Sequence, residues 1–306
     1  MTKIEKTLLG KVAVITGGSR GFGAAVAEAV IERGGKVAIG DILIKEGEST
    51  AENFNAAAAA KVAAFIQCDV TSYKDNIALF QFAEKEFGGV DIAFLNAGIG
   101  GKASDIAFLP PDDELDAKCM DVNGTSVIKG TKIAILHMAK KGGVIVNTAS
   151  ILGTHTLPST AAYSASKHAV VGWTRSFNLL PQVCGIRVNA VCPHFVDTDL
   201  IAIKNPEIIA KGGPMLQLIP KINKATVSTV VKAVLTLIED ESRNAQTLLA
   251  LPGDVIRVEE PPPPLMEGVT PQFKEDYKQY ERDYVSYYKK QLKTSLEVYQ
   301  KDHHCA

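Results

Sequence analysis

No apolar run in the 306-residue chain approaches the ~18 residues that span a bilayer, so no membrane helix is predicted. The opening MTKIEKTLLG lacks the apolar core of a secretory signal, and the expectation is a soluble, cytoplasmic protein. Neither sign of charge is in excess. With 33 Lys and Arg against 34 Asp and Glu there is no long-range field to recruit polyanions or acidic lipid heads, so neither nucleic acid nor membrane is an expected partner. Cysteine is scarce: Cys68, Cys119, Cys184, Cys192 and Cys305 form an odd set without CxxC spacing, which argues against a disulfide framework or a zinc cage and predicts no metal site. The first four read as core fillers.

What is present is an alternation of short Val- and Ile-rich runs with longer segments of helical period, the pattern of parallel βαβ units. Lys11–Thr16, Lys36–Asp41, Val62–Gln67, Ile92–Asn96, Val144–Thr148 and Ile186–Val191 read as strands, with Thr247–Leu251 as a seventh. Near-continuous apolar stretches such as VAVI, IAFL and VIV fit strands buried on both faces. The fold class expected is α/β, a doubly wound parallel sheet of the Rossmann type with about seven strands. Ala24–Arg33 reads as a helix ended by Gly34-Gly35, and Ala56–Ala60 as a helix-prone surface segment. Pro261–Pro264 reads as a stiff connector and divides the chain into a dinucleotide-binding and catalytic domain, 1–260, and an extension, 261–306.

The first strand runs into Thr16-Gly17-Gly18-Ser19-Arg20-Gly21-Phe22-Gly23 and then a helix, the context that gives a glycine fingerprint meaning. Gly17 permits the tight turn, Gly21 admits a pyrophosphate to the backbone, and Gly23 lets the helix lie close on the sheet with its N-terminal amides facing the anion. Asp41 ends the second strand 18 residues beyond Gly23, where a carboxylate accepts from ribose hydroxyls and repels a 2′-phosphate. Arg20 argues for the phosphate. Asp41 outweighs it, because a carboxylate set against a dianion costs more than an exposed arginine regains, so the cofactor expected is NAD, with NADP as the alternative. Asp69 follows the third strand; it is placed either to accept from an adenine amino group or to serve as a turn acid before Thr71 and Ser72.

Tyr163 and Lys167 are spaced i and i+4 on a helix, so they share a face, and Ser150 closes the fifth strand at the carboxyl edge of the sheet. A phenol titrates near ~10 in water. An ammonium at roughly 4–5 Å, with an effective dielectric of about 20, favours the phenolate by on the order of 3 kcal/mol, or about two pKa units. Tyr163 then acts as general acid or base near neutral pH, with Ser150 holding the substrate oxygen.

TGGSRGFG, Asp69, Asn96-Ala97-Gly98, Asn123, Ser150 and Tyr163-Ser164-Ala165-Ser166-Lys167 occur in an order that resembles the short-chain dehydrogenase/reductase family over roughly residues 8–252. The resemblance implies a catalytic set of Ser150, Tyr163, Lys167 and Asn123. In that set Asn123 distorts its helix and carries a water into a proton relay with Lys167, while Lys167 also holds the nicotinamide ribose. It further implies cofactor contacts from Val70, Asn96, Ala97, Gly98, Pro193, Val196 and Thr198, beside Gly17, Ser19, Arg20, Gly21, Phe22, Gly23, Asp41 and Asp69. The runs from Ser166 to Gly172, Val188 to Pro193 and Leu237 to Asp240 look similar to the NAD-linked hydroxyprostaglandin dehydrogenase-like members. One departure stands out: His194 follows Pro193 where the family usually has glycine. His194 and His155 are candidate substrate contacts or outward-facing loop residues.

The stretch Asp199–Ile219, within a lid expected near 194–222, presents Leu200, Ile201, Ile203, Ile208, Ile209, Met215, Leu216, Leu218 and Ile219, with Gly212-Gly213-Pro214 as a candidate hinge. It reads as cover for a hydrophobic alcohol or ketone, with Leu200 as a contact. The function expected is NAD-dependent interconversion of a hydrophobic secondary alcohol and its ketone. The alternatives are an NADPH-dependent biosynthetic ketoreductase and a non-catalytic dinucleotide-binding scaffold.

Beyond the proline connector, Gln272–Gln300 holds six of the eight tyrosines. Phe273, Tyr277, Tyr280, Tyr284, Tyr287, Leu292, Leu296 and Tyr299 form a stripe at helical spacing, which predicts an amphipathic helix of about twenty-five residues. A stripe so rich in tyrosine suits an interface, so a homodimer or homotetramer is expected, with the helix embracing a neighbour or bordering the substrate cleft.

Overall fold

The computed structural model describes residues 5–100, 107–198, 218–263 and 268–303. Leu200, the apolar stretch 199–217 and its Gly212-Gly213-Pro214 hinge lie outside the described residues, as do Pro264 and Cys305.

Seven strands are parallel: β1 (Val12–Thr16), β2 (Lys36–Asp41), β3 (Ala63–Gln67), β4 (Ile92–Leu95), β5 (Gly143–Thr148), β6 (Ile186–Pro193) and β7 (Thr247–Leu251). Their order continues to an eighth strand as β3-β2-β1-β4-β5-β6-β7-β8. That last strand, β8 (Val255–Val258), pairs antiparallel with β7 and adds one edge strand to the seven read from the sequence. It escapes the periodicity because it is short and alternates between exposed and half-buried positions. The signal that marks it is the Pro252-Gly253-Asp254 turn, in which Gly253 and Asp254 both take positive φ.

The order reverses between β1 and β4, which lie side by side. A doubly wound sheet opens its ligand crevice at this switch point, outside the carboxyl ends of the strands. The loops after β1 and β4 therefore meet there, and the end of β5 lies one strand away. Helices cover both faces: α1 (Gly21–Glu32), α2 (Ile44–Ala58), α3 (Tyr73–Phe87), α4 (Asp113–Met120), α5 (Ser126–Met138), α6 (Ala161–Arg175), α7 (Leu180–Cys184) and α8 (Val227–Glu239). One apolar cluster joins α1 and α8 to one face of the sheet, and a second joins α3, α5 and α6 to the other. The alanine run closes α2, where Ala59 takes a left-handed cap. Among the described residues no helix is long and apolar enough to cross a membrane.

The extension forms α9 (Pro271–His303), longer than expected. It returns to its own core. Tyr299 Oη bonds His137 Nε2 at 2.8 Å, His137 Nδ1 meets Glu84 Oε1 at 2.7 Å, and Leu292 and Leu296 line a groove with Ala139, Val183 and Cys184. His137 stands in the last turn of α5, which leads into the start of β5, whereas Ser150 follows the far end of that strand. The docked half of α9 thus lies at the edge of the sheet opposite Ser150 and does not border the crevice. Toward Phe273 the tyrosine rings pack on one another: Tyr277 on Tyr280, Tyr280 on Tyr284, and Tyr284 on Tyr287 and Tyr288.

Candidate active site

The β1 loop is shaped by contacts that only glycine tolerates. Gly17 and Gly21 take positive φ of 64° and 57°. A Cβ on Gly23 would stand 2.1 Å from the Gly17 carbonyl oxygen, and one on Gly17 would stand 2.8 Å from Ala97 Cα. At Gly21 an added Cβ would meet nothing within 4 Å, so that side of the loop is open. Helix α1 begins at Gly21, three residues before the expected start, and its first turn contains no acidic residue and no side-chain cap. Its unsatisfied amides and the positive end of its dipole suit an anion. Ser19 Oγ is buried beside them without a hydrogen-bond partner among the described residues. These residues fit a dinucleotide pyrophosphate.

Asp41 Oδ2 accepts from Ser19 N and Oδ1 from Leu43 N, both at 3.1 Å, so the buried carboxylate is clamped against the loop. Arg20 is exposed at the helix N-cap and Phe22 is half-buried against the core. Asp69 is exposed, and its Oδ1 accepts from Thr71 N at 2.9 Å and Thr71 Oγ1 at 2.7 Å, the geometry of a turn acid. Val70 is buried beside it.

The β4 turn is tied to the glycine loop. Thr16 Oγ1 accepts from Asn96 N at 2.9 Å and Ala97 N at 3.2 Å, and Asn96 Nδ2 donates to the carbonyls of Thr16 and Gly17, each at 3.2 Å. On its other side Gly98 faces Asn123 and Lys167: an added Cβ would stand 3.1 Å from Asn123 Oδ1 and 3.7 Å from Lys167 Nζ. Between α4 and α5 the chain makes a π-helical turn, Asp121–Thr125, with Asn123 at its centre. Such one-turn distortions are rare and gather at functional sites. The Asn123 amide is anchored on the β4 turn, accepting from Ile99 N at 2.8 Å and donating to Ile99 O at 2.9 Å.

Lys167 is buried on α6, and its Nζ donates to the Thr148 carbonyl at 2.8 Å. The same Nζ lies 5.8 Å from the centroid of the Tyr163 ring. Ser150, buried at the end of β5, accepts from Leu152 N at 3.2 Å, and its side chain also hydrogen-bonds the Tyr163 phenol. The electrostatics differ from expectation. Burial pushes Tyr163 up to about 12, against the pull of the Ser150 hydrogen bond, and lowers Lys167 to about 8. For both groups the loss of water around the charged form is the largest influence.

Sequence reasoning passed over Cys119 and Cys192. Both are fully buried as expected, yet both lie within electrostatic reach of Tyr163 and Lys167, and the Cys192 thiol is hydrogen-bonded by the Ser150 backbone. The signal for Cys119 is its spacing, one helical turn before Asn123.

His194 continues past Pro193, its N donating to Ala250 O at 2.9 Å. Its ring is half-buried and edge-on to Phe195 at 5.5 Å, with Nδ1 buried and without a hydrogen-bond partner among the described residues. Burial lowers its pKa and the nearby His155 lowers it further. His155 is exposed, with Nδ1 2.9 Å from Thr154 Oγ1. Val196 is buried and bridged to Ala225, and Thr198 is half-buried.

Comparison with known proteins accounts for this arrangement. A short chain dehydrogenase family model matches residues 11–208. Among curated proteins the chain is similar to 15-hydroxyprostaglandin dehydrogenase [NAD(+)] of Bos taurus, 32% identical over 246 residues, covering 77% of this chain and 88% of the relative. It is 33% identical to 2-(R)-hydroxypropyl-CoM dehydrogenase of Xanthobacter autotrophicus, covering 76% and 93% of the two chains. It is 38% identical to cis-4-hydroxycyclohexanecarboxylate dehydrogenase of Sinomonas cyclohexanicum over 63% of this chain and 76% of the relative. The glycine loop, the Asn96 turn, the π-turn at Asn123 and the Ser150, Tyr163 and Lys167 cluster all fall inside the matched region, and the chain is an oxidoreductase of the short-chain dehydrogenase family.

Proposed function

We propose that the protein is an NAD-dependent dehydrogenase of a hydrophobic secondary alcohol, with Tyr163 as general base for oxidation and general acid for the reverse reaction. The observation that carries this reading is the placement of Ser150, Tyr163 and Lys167 at the carboxyl edge of the sheet, with the glycine loop and the clamped Asp41 beside them. The Ser150 hydroxyl and the Tyr163 phenol together hold the carbinol oxygen. Tyr163 accepts the hydroxyl proton as the carbon gives up its hydride, and Ser150 steadies the oxygen as it becomes a carbonyl. NAD, when bound, would supply the hydride acceptor and a cationic ring. Lys167 adds its own charge and offers donors to the nicotinamide ribose, while Asn123 keeps the π-turn open to the relay. Gly17, Ser19, Gly21 and Gly23 hold the pyrophosphate, and Asp41 takes the adenosine ribose. Asn96, Ala97, Gly98, Pro193, Val196 and Thr198 border the nicotinamide half.

The relatives' names support a secondary alcohol as substrate, since they include a hydroxyprostaglandin, a 2-hydroxypropyl group and a hydroxycyclohexane. Exposed Arg20 at the loop keeps an NADPH-dependent ketoreductase as the second reading. Both are tested by following absorbance of the reduced cofactor with NAD and NADP against a panel of secondary alcohols and ketones. Turnover of apolar alcohols with NAD is expected. Dinucleotide binding without turnover of any member would overturn the enzyme reading in favour of a scaffold.

A further inference from the structure

We infer that Cys119 is a positioning residue, whose thiol links the π-turn at Asn123 to the backbone of the Tyr163 helix. The inference rests on the catalytic reading above. Three hydrogen bonds form a single chain of contacts: Asn123 Nδ2 donates to Cys119 Sγ at 3.4 Å, Cys119 Sγ lies 3.9 Å from Ser166 Oγ, and Ser166 Oγ donates to the Tyr163 carbonyl at 2.7 Å. At its other end the chain continues through the Asn123 amide to both main-chain groups of Ile99 in the β4 turn. Asn123, Cys119 and Ser166 are each completely buried, so water does not substitute for any link.

The polarity of this chain follows from its ends. A carbonyl oxygen only accepts, so Ser166 spends its one proton on Tyr163 O and presents lone pairs to the sulfur. The thiol proton must therefore point to Ser166, which leaves the sulfur lone pairs for the Asn123 amide. Only a neutral thiol satisfies both neighbours. Burial pushes the Cys119 thiol up and keeps it protonated, in agreement with that assignment. The elements involved explain why such a link has a use. The π-turn lacks the regular helical ladder and needs lateral support, and α6 carries both Tyr163 and Lys167. The thiol sets the spacing between the relay residue and the acid/base residue.

Three substitutions separate positioning from filling of space. Cys119→Val fills the site with a slightly larger apolar group and removes both hydrogen bonds, Cys119→Ala removes both and leaves space, and Cys119→Ser keeps a donor and an acceptor in a smaller group. Positioning predicts that kcat falls by about tenfold in the alanine and valine variants, on the alcohol turned over fastest by wild type, while KM for NAD stays within about twofold. The serine variant should recover most of the rate. Amide hydrogen exchange without cofactor gives a second readout: the Ile99 amide and residues 121–125 should exchange faster in the alanine and valine variants than in wild type and serine. If Cys119→Val matches wild type in rate and exchange while Cys119→Ser does not, the thiol is only a core filler and the inference is overturned. A Tyr163→Phe control separates the two levels: if that variant keeps its turnover, the catalytic reading fails, while the exchange data still report on the link.

Discussion

Lys167 reaches past the Tyr163 ring to the main chain of β5, donating to the Thr148 carbonyl two residues before Ser150. The amine is thus fixed to the strand that leads to Ser150, whose side chain hydrogen-bonds the Tyr163 phenol. The first expected outcome concerns that phenol. Tyr163→Phe should lower turnover by about 10²–10⁴-fold and leave dinucleotide affinity nearly unchanged, because the ring still packs and only the proton is lost. Turnover and cofactor titration on the same preparation decide it, and retention of a tenth of the wild-type rate would sink the assignment.

Lys167→Ala should lose both rate and cofactor affinity, since the proposed reaction has the amine serve both the phenol and the ribose. Its burial has a consequence for stability with a definite sign. The folded-state pKa is about 8, below the ordinary value, so in alkaline solution the unfolded chain binds a proton that the fold has released. Stability of the cofactor-free protein should therefore rise with pH from about 8, the burial cost being fully present below that. Tyr163 acts in the opposite sense above ~10, where the unfolded phenol ionises while the folded one is held near 12. Denaturant melts of wild type and Lys167→Met across this range should diverge between those limits, and parallel curves would contradict a buried amine.

Asp41→Ala should narrow the preference for NAD over NADP by about tenfold, roughly 1.4 kcal/mol, as repulsion of a 2′-phosphate is removed. The clamp on Ser19 N and Leu43 N is lost as well, so affinity for NAD itself should drop. Side-by-side kcat/KM with the two cofactors measures both effects. A wild-type preference for NADP would show that Arg20 outweighs Asp41.

Truncation after Glu260 removes β8's onward chain and the docked helix, uncovering Ala139, Val183 and Cys184 and leaving His137 without Tyr299. The melting temperature should fall by roughly 2–6 °C, corresponding to about 1–2 kcal/mol of lost burial and hydrogen bonding. Sedimentation of the same protein reads any change of oligomer mass. A truncated chain matching the full one in both would dispose of a structural role for α9.

The parallel strands were legible because burial on both faces writes them as unbroken apolar runs, and β8 was not because an edge strand with one wet face lacks that mark. The glycine loop was legible residue by residue: the contacts a Cβ would make at Gly17 and Gly23 are severe enough to exclude other residue types. Spacing put Tyr163 and Lys167 on one face, but their titration was misjudged. A pair formula counts the attraction between two groups and omits the water each has lost, and here the second quantity is larger. Spacing puts Cys119 one helical turn before Asn123, but its contact with Ser166, 47 residues along the chain, is not legible in the sequence. The docking of α9 was equally hidden, because an amphipathic stripe says that a helix needs a surface and does not name the surface.

Starting a helix in water is costly and lengthening one is cheap. In α9 the turns from Leu292 to Tyr299 are held by α5 and α7, whereas the stretch from Pro271 to Tyr288 rests on rings of the same helix. The docked turns therefore act as the nucleus from which the tyrosine-bearing turns propagate toward Pro271. Loss of the Tyr299 to His137 hydrogen bond would be felt farthest away, as fraying toward the Pro271 end of α9.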